Sequence, residues 1–76
     1  MMAPSLKILV WRRLVSLRLL DAWEERLAFV PRTQFVINYL PGGKSARIDI
    51  YLHKEDMGKS LIKQFGGEIR VVRQNS

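Results

Sequence analysis

The run Ala46-Arg47-Ile48-Asp49-Ile50-Tyr51-Leu52-His53 places Ile48, Ile50 and Leu52 at alternate positions, with Arg47, Asp49, Tyr51 and His53 between and after them. Alternation with a period of two describes a strand that buries one face and turns the other outward. Such a strand cannot stand alone: it needs neighbours for its backbone hydrogen bonds and a second layer over its apolar side. The first neighbour lies just upstream. Phe35-Val36-Ile37-Asn38-Tyr39-Leu40 is rich in β-branched and aromatic residues, and Pro41-Gly42-Gly43-Lys44-Ser45 separates it from the alternating run. This predicts a hairpin with a short glycine-containing loop.

The period changes after His53. Met57, Leu61, Ile62 and Phe65 follow one another at helical intervals, with Glu55 and Asp56 at the start and Lys59 and Lys63 in later turns. That is an amphipathic helix with charges suited to its dipole. Gly66-Gly67 offers a helix stop, and Glu68 to Arg73 reads as a further strand. Upstream, Leu19, Leu20, Trp23 and Leu27 predict a helix from about Leu17 to Phe29 with Trp23 in its core, its other face carrying Asp21, Glu24, Glu25 and Arg26, and Pro31 beyond its end. Leu6 to about Leu14 is apolar but interrupted by Arg12 and Arg13, and reads either as a strand or as the start of a longer helix. As a strand it completes an α+β domain, a ferredoxin-like βαββαβ sandwich with a four-stranded antiparallel sheet and two helices on one face. The uncovered face then presents Arg47, Asp49, Tyr51 and His53. Seventy-six residues make one small domain, 1–76, with 5–73 as its ordered core and Gln74-Asn75-Ser76 as the start of a linker.

Charge and composition narrow the chemistry. Thirteen Lys and Arg against seven Asp and Glu give +6, which favours acidic partners. Without cysteine there is no thiolate metal site, and the one histidine, His53, cannot make a histidine-rich one. The longest apolar run near the start, Ile8 to Trp11, is far short of the roughly 18 residues of a membrane-spanning helix. No secretory signal fits either, so a cytoplasmic protein without membrane contact is expected. A rival reading takes the first twenty residues, with Lys7, Arg12, Arg13 and Arg18 and no acid before Asp21, as a targeting or membrane-surface helix.

No catalytic constellation emerges. Asp49 and His53 share a strand face but stand about 13 Å apart by strand rise, and read as two solvated side chains. Glu24, Glu25, Glu55 and Asp56 read as solvating charges on helix exteriors. Neither Gly42-Gly43 nor Gly66-Gly67 has the spacing of a dinucleotide or phosphate loop. RNA is a candidate partner, with Tyr51 and Trp11 as stacking platforms, because exposed aromatics on a sheet of this kind can stack bases. Against it, residues 43–51 lack the RNA-recognition signature, and Asp49 puts negative charge where phosphate would approach.

Three stretches together carry a resemblance: Asp21-Ala22-Trp23-Glu24-Glu25-Arg26-Leu27, Pro41-Gly42-Gly43-Lys44-Ser45-Ala46-Arg47-Ile48-Asp49-Ile50-Tyr51, and Lys63-Gln64-Phe65-Gly66-Gly67-Glu68-Ile69-Arg70. In these the chain resembles, from about Leu9 to Arg73, the amino-terminal domain of PrmA-like methyltransferases, which modify the ribosomal protein of the large-subunit stalk base. The resemblance implies a ferredoxin-like substrate-recognition domain that binds a ribosomal protein. It also implies that S-adenosylmethionine and methyl transfer belong to a separate Rossmann-type domain, so that no cofactor or catalytic residue is expected in this chain. The same stretches read as fold determinants and assign no contact residue by themselves. The contact residues expected from the outward face and the basic surface are Arg47, Tyr51 and Arg70.

Overall fold

A computed structural model describes residues 6–74. The elements run β1 (Leu6–Ser16), a 3-10 turn (Leu17–Leu19), α1 (Leu20–Arg26), a 3-10 turn (Arg32–Gln34), β2 (Phe35–Tyr39), β3 (Ser45–Leu52), α2 (Glu55–Phe65) and β4 (Glu68–Gln74). The four strands form one antiparallel sheet in the order β2-β3-β1-β4. The fold is therefore α+β, an open four-stranded sheet with two helices.

The ambiguous first segment is a strand, and a central one. It pairs with β3 from Leu9↔Leu52 to Ser16↔Ser45 and with β4 from Leu6↔Gln74 to Arg12↔Glu68. Val10 and Trp11 are consecutive and both fully buried, so β1 is covered on both faces at that point and loses the alternation that would have marked it. A helical targeting segment over Leu6–Ser16 is overturned by the same pairing. Gln74, expected to open a linker, pairs with Leu6 at the end of β4. Ser5, Asn75 and Ser76 lie outside the described residues.

Registers assign every strand residue to a face. Leu9, Trp11 and Val15 of β1 lie opposite Leu52, Ile50 and Ala46 of β3, while Phe35 and Ile37 of β2 lie opposite Ile50 and Ile48. These side chains share one apolar cluster with Leu20, Trp23 and Leu27 from the first helical region and Leu61 from α2. Burying each such side chain contributes about 1.5–3 kcal/mol, which offsets the cost of ordering a small chain. Two positions expected inside are outside: Leu19 is 54 % exposed and Ile62 is 40 % exposed. Leu19 closes a 3-10 turn rather than continuing α1, so the face it would have shared with Trp23 turns away.

Two glycines fix how α2 meets the sheet. A Cβ on Gly58 would stand 2.8 Å from Leu52 Cδ1 and 2.9 Å from Ile69 Cδ1, so the missing side chain sets the approach of helix to strand. Gly67 has φ +83°, and a Cβ there would lie 2.7 Å from the Arg12 carbonyl oxygen and against the Trp11 ring. The stop after α2 is thus also the seat of Trp11, whose Nε1 donates to the Gly66 carbonyl at 2.8 Å.

Candidate functional site

The outward face of the sheet is built from the alternate residues of the same strands. Three cross-strand rows follow from the registers: Val36–Asp49–Arg12–Glu68, Asn38–Arg47–Leu14 and Tyr51–Val10–Arg70. The expected contact residues Arg47, Tyr51 and Arg70 all stand on it. Arg12 and Leu14 join them unexpectedly, because their orientation became readable only once β1 was known to be a strand.

Asp49 sits at the middle of this face yet is only 3 % exposed, contrary to the reading of it as a solvated side chain. Three neighbours cover it. Arg12 donates through Nε to Oδ1 at 2.9 Å and through Nη2 to Oδ2 at 3.4 Å. Arg47 Nη2 lies 3.2 Å from Oδ2, and Asn38 Nδ2 donates to the same oxygen at 3.4 Å. A carboxylate this buried requires charged partners with good geometry. The hydrogen bond to Asp49 raises the Arg12 pKa above its ordinary value, against the lowering effect of burial, so Arg12 stays charged. One carboxylate cannot neutralise two guanidinium groups, and a positive charge is left over, held in place from below. The Nε of Arg47 is buried without a partner.

Arg70 completes the cationic surface. Its Nε contacts Glu68 Oε1 at 3.0 Å, but both side chains are more than half exposed, so the pair holds Arg70 weakly. Between these residues is an open hollow of about 530 Å³, lined among others by Arg12, Leu14, Leu40, Arg47, Glu68 and Arg70. The hollow brings Arg47 and Arg70 together. Tyr51 is on the same face but outside it, in a row with Val10 and Arg70. His53 is exposed in the bend after β3.

The second proposed stacking platform does not hold. Trp11 is completely buried on the helix-covered face, which leaves Tyr51 as the one aromatic on the outward face among the described residues. A stacking role for Trp11 is excluded by that position.

The glycine pairs do not form a nucleotide cradle. Gly42 and Gly43, both at positive φ, turn the hairpin, where the Gly43 N–H points to the Leu40 carbonyl. Gly66 and Gly67 follow the carboxyl end of α2, where carbonyl oxygens gather and an anionic group is disfavoured. Among the described residues, no three His, Asp or Glu side chains gather as a metal site, and no helix is long and apolar enough to cross a membrane.

No family model, curated protein or solved structure matches the chain. The chemistry of the face therefore rests on its own residues: a fixed pair of guanidinium groups, a looser third, one tyrosine and an exposed leucine.

Proposed function

We propose that this chain is the non-catalytic recognition domain of a PrmA-like ribosomal protein methyltransferase, acting in the cytoplasm and holding a ribosomal protein on its outward sheet face. The ferredoxin-like assignment belongs to this reading. It is supported by the strand order: β1 and β2 run parallel on either side of β3, β3 and β4 run parallel on either side of β1, and a helix makes each crossover. The stretches that carry the resemblance also have physical work in the fold, in the buried Trp23, the hairpin turn and the Gly67 seat for Trp11.

The observation that carries the reading is Asp49. A buried acid that orients two arginines on an exposed surface has a stability cost that a purely structural position could avoid with apolar residues. The arrangement suits preorganised contact with a partner, since ordering costs on binding are reduced when side chains are already held. Methyl transfer itself would be performed by a domain that binds S-adenosylmethionine, and the role of these residues is to hold and orient the protein substrate.

Isothermal titration of the full chain tests this. The stalk-base ribosomal protein is expected to bind in the micromolar class typical of a small polar interface, and the combined Arg47→Ala, Tyr51→Ala and Arg70→Ala variant is expected to lose that binding. Unchanged binding by the variant, or measurable binding of S-adenosylmethionine to this chain, would contradict the proposal.

RNA is the rival partner, favoured by the +6 charge and by Tyr51 on an open sheet. It predicts RNA affinity that falls steeply with salt and disappears in an Arg47→Ala, Tyr51→Ala variant. Affinity that changes little with salt removes this alternative.

A further inference from the structure

The sheet has a notch. β3 accompanies β1 to its end at Ser16↔Ser45, but β4 begins only at Glu68, opposite Arg12. Arg13 to Ser16 are therefore paired on one side only, among the described residues, and the hollow bounded by Arg47, Arg70, Leu14 and Leu40 adjoins this half-paired stretch.

We propose that the notch takes an extended acidic segment of the partner protein, with side-chain carboxylates on Arg47 and Arg70 and an apolar side chain on Leu14. This deepens, and rests on, the reading of the outward face as the partner-binding surface.

Charge gives the sign of the ligand. Arg12, Arg13, Arg47 and Arg70 outnumber Asp49 and Glu68 around the hollow, leaving two positive charges. Arg13 is committed elsewhere: Nε donates to the Phe65 carbonyl, Nη1 to the Leu14 carbonyl, and the guanidinium lies 4.4 Å from the Trp23 ring centroid. Arg12 is committed to Asp49. Arg47 and Arg70 remain. Arg47 spends Nη2 on Asp49, but its side chain is still 33 % exposed, so the outer part of its guanidinium is open to an arriving carboxylate. Arg70 has only a surface pair to give up.

Shape and the apolar component separate a peptide from RNA. Leu14 is 60 % exposed in the row beside Arg47, a contact for an aliphatic side chain rather than for a phosphate. A nucleic-acid backbone needs an uninterrupted cationic track and stacking platforms, whereas here two carboxylates interrupt the arginines and the one tyrosine stands outside the hollow. Apart from the Leu14 carbonyl, which Arg13 Nη1 already occupies, the half-paired β1 residues suit an extended polypeptide, which can add main-chain contacts along a strand edge.

The test uses fluorescence anisotropy with the full chain and three labelled probes: a short peptide alternating Glu and Leu, the same peptide with Gln for Glu, and a uridine oligonucleotide. The Glu peptide is expected to bind at least about tenfold tighter than the Gln peptide, through charge-assisted bonds. Arg70→Gln, on an exposed side chain outside the Asp49 network, is expected to weaken Glu-peptide binding about fivefold or more, and Leu14→Ser to weaken both peptides. Lys63→Gln on the exposed side of α2 should change nothing. Equal affinity for the Glu and Gln peptides, or oligonucleotide binding tighter than Glu-peptide binding and lost in Arg70→Gln, would overturn the inference. Competition with the stalk-base ribosomal protein separates the two levels. A ribosomal protein that binds while the Glu peptide neither binds nor competes sinks the notch and spares the recognition role. A peptide that binds while the ribosomal protein does not spares the notch and sinks the recognition role.

Discussion

The two faces of one sheet differ in what holds them. On the helix-covered side, Trp11, Ile48, Ile50 and Leu61 are all but fully excluded from water, held mainly by non-directional burial in packing so close that a single added Cβ at Gly58 or Gly67 would be felt. On the outward side the buried centre is Asp49, held by directional bonds from Arg12, Arg47 and Asn38, and surrounded by arginines with donors to spare. Residues alternating along the same strands thus serve two purposes. The covered side supplies the stability of a chain too short to have much in reserve, and the outward side uses some of it to hold charge in a fixed place.

Substitutions can break this contrast. The largest expected effect is Trp11→Ala, which removes the biggest fully buried side chain and its bond to Gly66. A loss of about 3–5 kcal/mol would consume most or all of the stability of a chain this size, leaving no cooperative transition in urea at room temperature. Gly67→Ala comes next, because a Cβ there meets the Arg12 backbone at a φ that L-residues rarely adopt. A loss of roughly 2–3 kcal/mol is expected, seen as a lower urea midpoint. Asp49→Ala tests the outward side. Removing the acid leaves two guanidinium groups repelling one another, but both are partly exposed and can turn to water, so the cost is about 1–3 kcal/mol, and partner binding falls by more than stability alone explains. Arg70→Gln is the smallest: within about 0.5 kcal/mol of the parent in thermal unfolding, yet weaker in binding. A change in binding without a change in stability is the pattern the outward face should show, and the covered face should not.

The sequence disclosed the covered side far better than the outward side. Ile48, Ile50 and Leu52 announce their burial by alternation, and the glycine pairs mark the hairpin and the helix stop at the right places. β1 was ambiguous for a physical reason: a central strand covered on both sides at Val10 and Trp11 loses its period. With β1 undetermined, the partners of Asp49 could not be found, since a carboxylate looks solvated until the register puts Arg12 and Arg47 beside it. Trp11 was misplaced as a surface platform for the same reason. Alternation puts Arg47 and Tyr51 on the outward face, and the structure places them there together with Arg70, which the sequence offers only as part of a basic surface. Arg12, Leu14 and the notch needed the strand order, which no spacing along the chain encodes.

The most direct test is amide chemical-shift mapping of the isotope-labelled full chain as unlabelled stalk-base ribosomal protein is added. The account predicts the largest changes in β1 from Arg12 to Ser16, in β3 around Arg47 and Tyr51, and at Arg70, with α2 little affected. Changes centred on α1 and α2, or none at saturating partner, would contradict it.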